Sequence, residues 1–230
     1  MFAGHLAAGL ALKKADKRIN LGYLFFAALF LDFLLGIFVL LGLEQIIVPE
    51  NFSELHYLRF VFPYSHGFLA TIIWSLCAFI MAQFIFRKRN NRTRAGLIMA
   101  VAVFSHFFLD WLVHIPELPI LGIGSSQIGL GLWNNLGLSL ALEAFLVLIG
   151  LGIYQFSNPS PNAKTRYGVS ILVLFVLLMT VLGQALSNKA PPTLGASISW
   201  IGQTLFIAGI AYWLDRKPRE LNMQKIREIN

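Results

Sequence analysis

Three residues at helical spacing carry side chains that bind metals or transfer protons: His106, Asp110 and His114. Neighbours in this set are four positions apart, so steps of about 100° per residue keep them on one helix face. The residues between them, 107–109 and 111–113, are apolar. An imidazole and a carboxylate one turn apart can reach the same ion, and this ligand pair suits Zn²⁺. The spacing therefore predicts a polar stripe that binds a metal or handles protons.

More ionisable side chains occur within or beside other apolar segments: His5, Asp32, His66 and Glu143. A charged group inside a membrane costs several kcal/mol unless it has a partner, so these residues are expected to face one another. Asp32, His106 and Glu143 each lie 11 residues into their segment, which places them near the same depth. The sequence thus predicts one buried polar site.

Composition indicates what must position this site. Of 230 residues, 57% are hydrophobic and 13% are charged, and the mean hydropathy is +0.70. A soluble domain carries roughly 25% charged residues. Runs long enough to cross a bilayer lie approximately at Leu21–Leu43, Tyr64–Phe86, Ala95–Pro116, Leu132–Tyr154, Gly168–Ser187 and Gly195–Leu214. The predicted fold class is all-α: a polytopic membrane helical bundle of about six transmembrane helices.

Basic residues predict the orientation. If the N-terminus is cytoplasmic, all but two of the 18 Lys and Arg residues fall on the inner side, leaving Arg59 and Lys189 outside. This bias predicts a multi-pass protein of the cell inner (plasma) membrane with both termini cytoplasmic. Because the positive charge lies in loops between apolar runs, it does not indicate nucleic-acid binding.

The single cysteine, Cys77, excludes a disulfide framework within the chain and a Cys-based metal site.

The first residues form an apolar segment too short to span. This segment, residues 4–10, either lies on the inner surface or rises into the bundle as a half-helix. We favour the half-helix, because His5 then meets partners. Residues 1–154 are predicted to carry the site, and residues 155–230 to form two scaffold transmembrane helices and a basic cytoplasmic tail.

Three residues are candidates for substrate contact: Ser65, Trp133 and Asn134. Ser65 directly precedes His66, and its hydroxyl would either orient that ring or bond back to a helix carbonyl. Trp133 and Asn134 lie at the outer mouth of the predicted bundle, where Trp133 has the alternative role of an interfacial anchor. His56, in a polar outer loop, is predicted to be solvated.

These motifs together resemble a known family. The run comprises Gly4-His5, Asp32, Tyr64-Ser65-His66, Ser105-His106-x-x-Leu109-Asp110-x-x-x-His114, Gly131-Leu132-Trp133-Asn134 and Glu143. It resembles the bacterial inner-membrane proteins described as metal-dependent hydrolases, the LexA-regulated membrane hydrolase family, over roughly residues 1–154. The resemblance implies a hydrolase that requires a metal.

A more distant similarity is to zinc-dependent phospholipase C and P1 nuclease. Their ligand order is matched by His5, Asp32, His66, His106-x-x-x-Asp110 and His114, but Ser139 stands where the last histidine would precede Glu143. This departure favours one or two metals over three. The similarity implies Zn²⁺ bound among His5, Asp32, His66, His106, Asp110 and His114. The carboxylates of this set make Mn²⁺ or Fe²⁺ the alternatives.

The resulting hypothesis is a membrane-embedded metal-dependent hydrolase acting from the outer face on a lipid or lipid-linked (phospho)ester. Asp110, His114 and Glu143 are the candidate catalytic residues. The main alternative is a small proton-coupled transporter or permease, because buried Asp, Glu and His residues also form proton relays. A haem-binding cytochrome with two axial histidines is a third hypothesis, which the three nearby carboxylates disfavour.

Overall fold

The computed structural model describes residues 1–158 and 163–216, which form apolar helices joined by loops and two small antiparallel hairpins. The helices are α1 (Ala3–Leu12), α2 (Leu21–Ala28), α3 (Phe30–Leu40), α4 (Phe52–Leu55), α5 (Phe68–Ile85), α6 (Arg92–Val113), α7 (Leu136–Ser157), α8 (Ala163–Ala185) and α9 (Thr193–Asp215). The hairpins pair β1 (Gln45–Ile47) with β2 (Arg59–Val61) and β3 (Leu118–Pro119) with β4 (Gln127–Ile128). The predicted all-α class is confirmed. The basic tail predicted beyond Arg216 lies outside the described residues.

The described helices include five, α5 to α9, that are long and apolar enough to cross a membrane. The pair α2 and α3 makes a sixth span if it is counted as one. Large apolar side chains on these helices face outward, as Phe84 and Phe156 do, which suits contact with lipid and not with water. The most enclosed span is α6, with 56% of its apolar window buried against 17–28% in the other four. The chain is thus a multi-pass membrane bundle with α6 near its centre.

The first predicted span, Leu21–Leu43, is not continuous. Helices α2 and α3 meet at 52° with Leu29 between them. The carbonyl of Ala28 accepts a 2.7 Å hydrogen bond from His106 Nδ1 of α6, so a side chain from another helix bonds to the backbone at the bend. The bend also places Asp32 in the first turn of α3, where the helix dipole stabilises a carboxylate.

The N-terminal half-helix lies inside the bundle, as predicted. Seven of the ten residues of α1 are buried, including His5, and the helix packs against α7, α2 and α6. Ala7 of α1 lies against Gly150 of α7: a Cβ on Gly150 would lie 2.7 Å from Ala7 Cα and 2.9 Å from Ala7 O. Glycine at this position therefore sets the separation of the two helices.

We expect Gly150→Leu to destabilise the fold and Gly152→Leu to leave it nearly unchanged. A side chain at position 150 must displace the α1 backbone, which costs about 1–3 kcal/mol, whereas a Cβ at Gly152 meets nothing within 4 Å. Thermal unfolding in detergent measures both variants. Equal midpoints for the two variants would contradict this account of the α1–α7 contact.

Ion pairs fix the opposite end of α1. Lys13 Nζ lies 2.5 Å from Asp215 Oδ2 of α9, and the backbone N–H of Leu21 donates to the same oxygen at 2.8 Å. Arg89 binds Asp16 at 2.8 Å, which joins the α5–α6 and α1–α2 connections. Burial alone would raise the pKa of Asp16, but hydrogen bonds from Arg18 and the charge of Arg89 hold this pKa below its ordinary value. These contacts hold α1 in position along the bundle.

Candidate metal centre

Four segments of the chain bring their polar side chains to one point. Helix α1 supplies His5, the first turn of α3 supplies Asp32, and the segment before α5 supplies His66. Helix α6 and the residue after it supply His106, Asp110 and His114. These six are the metal ligands predicted from the sequence, and the structure brings all six together.

Asp110 lies at the centre of the cluster. Its Oδ2 atom is 3.2 Å from His106 Nε2 and 3.5 Å from His66 Nε2, and its Oδ1 atom is 3.2 Å from His5 Nε2. His114 Nε2 is slightly farther from Oδ2, at 3.8 Å. The i, i+4 spacing produces the contacts of His106 and His114, and the packing of α1 and of the segment before α5 against α6 produces those of His5 and His66.

Asp32 faces the same nitrogens from the other side. Its Oδ1 atom lies 3.7 Å from His66 Nε2 and 3.8 Å from His106 Nε2. Its Oδ2 atom is buried and has no hydrogen-bond partner among the described residues. The His5 ring stacks on the His106 ring at 3.6 Å, and within the described chain both His5 nitrogens are also unsatisfied by hydrogen bonds. Buried polar atoms left in this state are costly unless an ion or water binds them.

Three histidines have one ring nitrogen held by an oxygen. His106 Nδ1 contacts Ala28 O at 2.7 Å, and His114 Nδ1 contacts Glu117 Oε1 at 2.6 Å. A carbonyl or an ionised carboxylate only accepts, so Nδ1 carries the proton in both rings. In a neutral ring, Nε2 then presents its lone pair. This is the arrangement that orients metal-binding histidines.

His66 is held through a relay of two side chains. Ser65 Oγ lies 2.7 Å from Glu44 Oε2 and 2.7 Å from His66 Nδ1. When Glu44 is ionised, the hydroxyl proton points to the carboxylate, and the hydroxyl accepts from Nδ1 of His66. Burial raises the pKa of Glu44, an effect offset in part by hydrogen bonds from Ser65 and from the backbone N–H of Tyr64. His66 thus also presents Nε2 to the cluster.

These hydrogen bonds leave two nitrogen lone pairs close together, one on His66 and one on His106. His66 Nε2 and His106 Nε2 are 3.2 Å apart, with Asp110 Oδ2 beside both. Two lone pairs at this distance repel each other unless a proton or a metal cation stands between them. Two groups have ligand atoms all within 4.8 Å of one another: His66, His106 and Asp110, and His5, Asp32 and His106. The donor set fits a divalent metal such as Zn²⁺.

Glu143 lies at the edge of this cluster and has a different set of contacts. Its Oε1 atom accepts a 2.9 Å hydrogen bond from the backbone N–H of Gly4, at the N-terminus of α1. A carboxylate there satisfies a free helix N–H and interacts favourably with the helix dipole. The structure thus gives Glu143 a role in positioning α1, and its predicted catalytic role stays a prediction.

Comparison of this chain with protein-family models, with curated proteins and with solved structures finds no match. The resemblance to membrane hydrolases therefore stays a prediction, and the function must be inferred from the geometry of the site.

A cavity of about 520 Å³ extends from the cluster towards the loops. Its wall includes Asp32, Asp110, His66 and His114 of the cluster, and it also includes residues of α8, α9 and the connection between them. The predicted scaffold half of the chain thus contributes part of the lining, including Gln184 and Trp200.

The three predicted substrate contacts lie in different places. Trp133 lines the cavity, with its ring centroid 3.9 Å from that of His114. Asn134 is exposed and accepts a 3.0 Å hydrogen bond from the Tyr57 hydroxyl. Ser65 is fully buried between Glu44 and His66, so it orients a ring and is not placed to touch substrate.

Three groups near the site were not assigned to it from the sequence. Glu44 and Glu117 fall in polar loops, and each is buried against a histidine or its neighbouring serine. Glu117 continues the helical stripe of His106, Asp110 and His114, which predicts its position beside them but no role in the site, whereas no spacing signal identifies Glu44. The amine of Met1 is buried 3.3 Å from Asp110 Oδ1.

Proposed function

We propose that this protein is a membrane-embedded, metal-dependent hydrolase centred on His66, His106 and Asp110. One observation supports this proposal most directly: the 3.2 Å approach of two histidine Nε2 atoms beside a carboxylate oxygen. The partners of both Nδ1 atoms leave lone pairs facing each other. A divalent cation between them would offset that repulsion and the cost of burying Asp110.

The residues divide into two roles in this proposal. His66, His106 and Asp110 hold the metal, and His5 and Asp32 complete its ligand set or hold a second ion. A bound divalent metal lowers the pKa of a water molecule towards neutrality and polarises a carbonyl or phosphoryl oxygen. Zn²⁺ suits these donors best, with Mn²⁺ or Fe²⁺ as alternatives.

His114 is the group best suited to proton transfer. It lines the cavity, its Nε2 atom is turned towards Asp110 at 3.8 Å, and Glu117 holds its other nitrogen at 2.6 Å. A carboxylate behind an imidazole orients the ring and stabilises its protonated form. His114 would thus give a proton to the leaving group or take one from the attacking water.

The cavity supports a lipid or lipid-linked ester as substrate. Its lining combines aromatic and aliphatic residues with the polar cluster, and it lies within a bundle whose outer surface is apolar. An amphiphile could place its ester at the metal and its chains against Leu35, Phe62 and Trp200. With the orientation inferred from the basic residues, the cavity opens to the outer face of the plasma membrane.

We expect His114→Ala to retain metal and to lose activity. Removal of a general acid–base group lowers kcat by about 10²–10⁴-fold, while His66, His106 and Asp110 still bind the ion. The assay is release of product from short-chain phospholipids by purified protein, with chelator-treated protein as the blank. Unchanged turnover in His114→Ala would contradict this role, and a metal-loaded wild-type protein without esterase or phosphoesterase activity would contradict the proposed function.

A proton-coupled transporter is the second candidate, favoured by the bend at Leu29. Broken helices that place a helix N-terminus and an acidic residue within the bundle are typical of transporters. Uptake into proteoliposomes that depends on Asp32 and proceeds in metal-free protein would favour this candidate over the hydrolase.

A further inference from the structure

The cavity wall also includes polar residues that are not part of the metal centre. They are His56, which follows α4, Gln184 of α8, Ser187 and Lys189 of the α8–α9 connection, and Ser199 of α9. The acidic residues among the described lining are Asp32 and Asp110, both at the metal centre. Outside the metal centre, the described lining thus carries a lysine and a histidine and no carboxylate.

His56 has an unusual backbone conformation. Its φ of 56° and ψ of 20° are left-handed, and it is the one residue other than glycine with a positive φ in the described ranges. A side chain in this region is strained by about 1 kcal/mol or more, and such strain persists where the surroundings or function require it. The left-handed conformation ends the four-residue helix α4 at His56, and His56 lines the cavity.

The His56 side chain also has an unused hydrogen-bonding atom. Its Nδ1 is inaccessible to solvent and has no hydrogen-bond partner within residues 1–158 and 163–216. Lys189 is exposed on the same cavity, and its backbone carbonyl accepts a 2.9 Å hydrogen bond from the Ser187 hydroxyl. Lys189 thus lines the same cavity as an imidazole that has one unsatisfied nitrogen.

We propose that His56 and Lys189 form an anion-binding subsite for the phosphate group of a lipid. An ammonium and an imidazole are both donors to phosphate oxygens, and charge-assisted bonds of this kind are the strong ones. Phe52, Phe60 and Trp200 line the same cavity and would contact the acyl part of the lipid. This inference deepens the proposed function, on which it rests, by assigning an anionic phospholipid as the substrate class.

The test is equilibrium binding of two short-chain lipids to the full-length protein in detergent and chelator. Dioctanoyl phosphatidic acid and dioctanoylglycerol differ by the phosphate, and without metal neither is hydrolysed. We expect the wild-type protein to bind the phosphatidic acid about tenfold more tightly, the effect of a hydrogen bond to a charged group. We expect Lys189→Gln or His56→Asn to reduce this preference to about twofold.

Arg59→Gln is the matched control. Arg59 is an exposed cation of β2, the strand that also supplies Phe60 to the cavity, so its removal lowers the net charge equally and should leave the tenfold preference intact. Asparagine is chosen at position 56 because it tolerates the left-handed conformation. A preference that survives both Lys189→Gln and His56→Asn, or that falls equally in Arg59→Gln, would overturn the subsite.

Competition with inorganic phosphate distinguishes a subsite for a lipid from a subsite for a free phosphate ion. We expect inorganic phosphate to displace the phosphatidic acid only at concentrations at least about tenfold above those of the lipid, since it makes no apolar contacts. Displacement at equal concentrations would overturn the assignment to a lipid. Because all these measurements are made without metal, their failure is distinct from failure of the hydrolase proposal, which depends on the metal content of the same preparations.

Discussion

Asp110→Ala is expected to abolish the stabilisation of this protein by zinc. Asp110 is within 3.5 Å of nitrogens from three histidines, so its loss removes the shared carboxylate of the centre. A metal at about 100 times its Kd stabilises a folded protein by about 2.7 kcal/mol. The wild-type protein should show this as an increase in unfolding temperature on addition of zinc, and Asp110→Ala should show almost none.

The chelator-treated proteins provide the control for this result. Each protein is compared with its own chelator-treated sample, because Asp110→Ala leaves the buried Met1 amine and the neighbouring imidazoles without their carboxylate and should itself lower the unfolding temperature in the absence of metal. A similar zinc-induced increase in both proteins would contradict the placement of the metal at Asp110.

Glu44→Gln is expected to lower metal affinity by about 10–100-fold, the usual effect of losing the partner that orients a metal ligand. The substitution preserves shape but changes the direction of the relay. A glutamine amide would donate to Ser65, so the Ser65 hydroxyl would donate to His66 Nδ1 and move the ring proton to Nε2. His66 would then have no lone pair to offer at the centre.

The matched control for this change is Glu54→Gln. Glu54 is an exposed residue of α4 in the same long connection between α3 and α5, and it contacts Asn51 and no histidine of the cluster among its described hydrogen bonds. Competition with a zinc-binding dye measures both affinities. Equal affinity in Glu44→Gln and the wild-type protein would show that the relay does not set the proton position on His66.

The span pattern could be predicted because lipid contact requires long apolar runs. The predicted runs correspond to α5 to α9 and to the pair α2–α3, and the prediction that α1 enters the bundle is confirmed. The bend at Leu29 could not be predicted from local sequence, because neither proline nor a Gly/Ser pair marks it. It coincides with a hydrogen bond from His106, 78 positions away.

The site residues that lie within apolar segments could be predicted, because an ionisable side chain in such a segment must be buried. Histidines and carboxylates within apolar segments had to find partners, and the structure brings the six predicted ligands together. Glu44 was missed because it lies in a polar loop, where a carboxylate carries no evident cost. Glu143 meets the N-terminus of α1, a contact that depends on how α1 packs against α7. The cavity wall from α8, α9 and their connection was missed because residues 183–200 contain no carboxylate or histidine, and their one charged residue, Lys189, lies in a loop.

The metal content of the protein tests the central claim most directly. Elemental analysis for Zn, Mn, Fe and Ni should be made on protein purified in detergent without added metal, beside Asp110→Ala prepared in the same way. We expect about one or two equivalents of a divalent metal per chain, and less than about a tenth of that amount in the variant. A folded wild-type protein that contains no metal and takes up none from a zinc-buffered solution would contradict this claim.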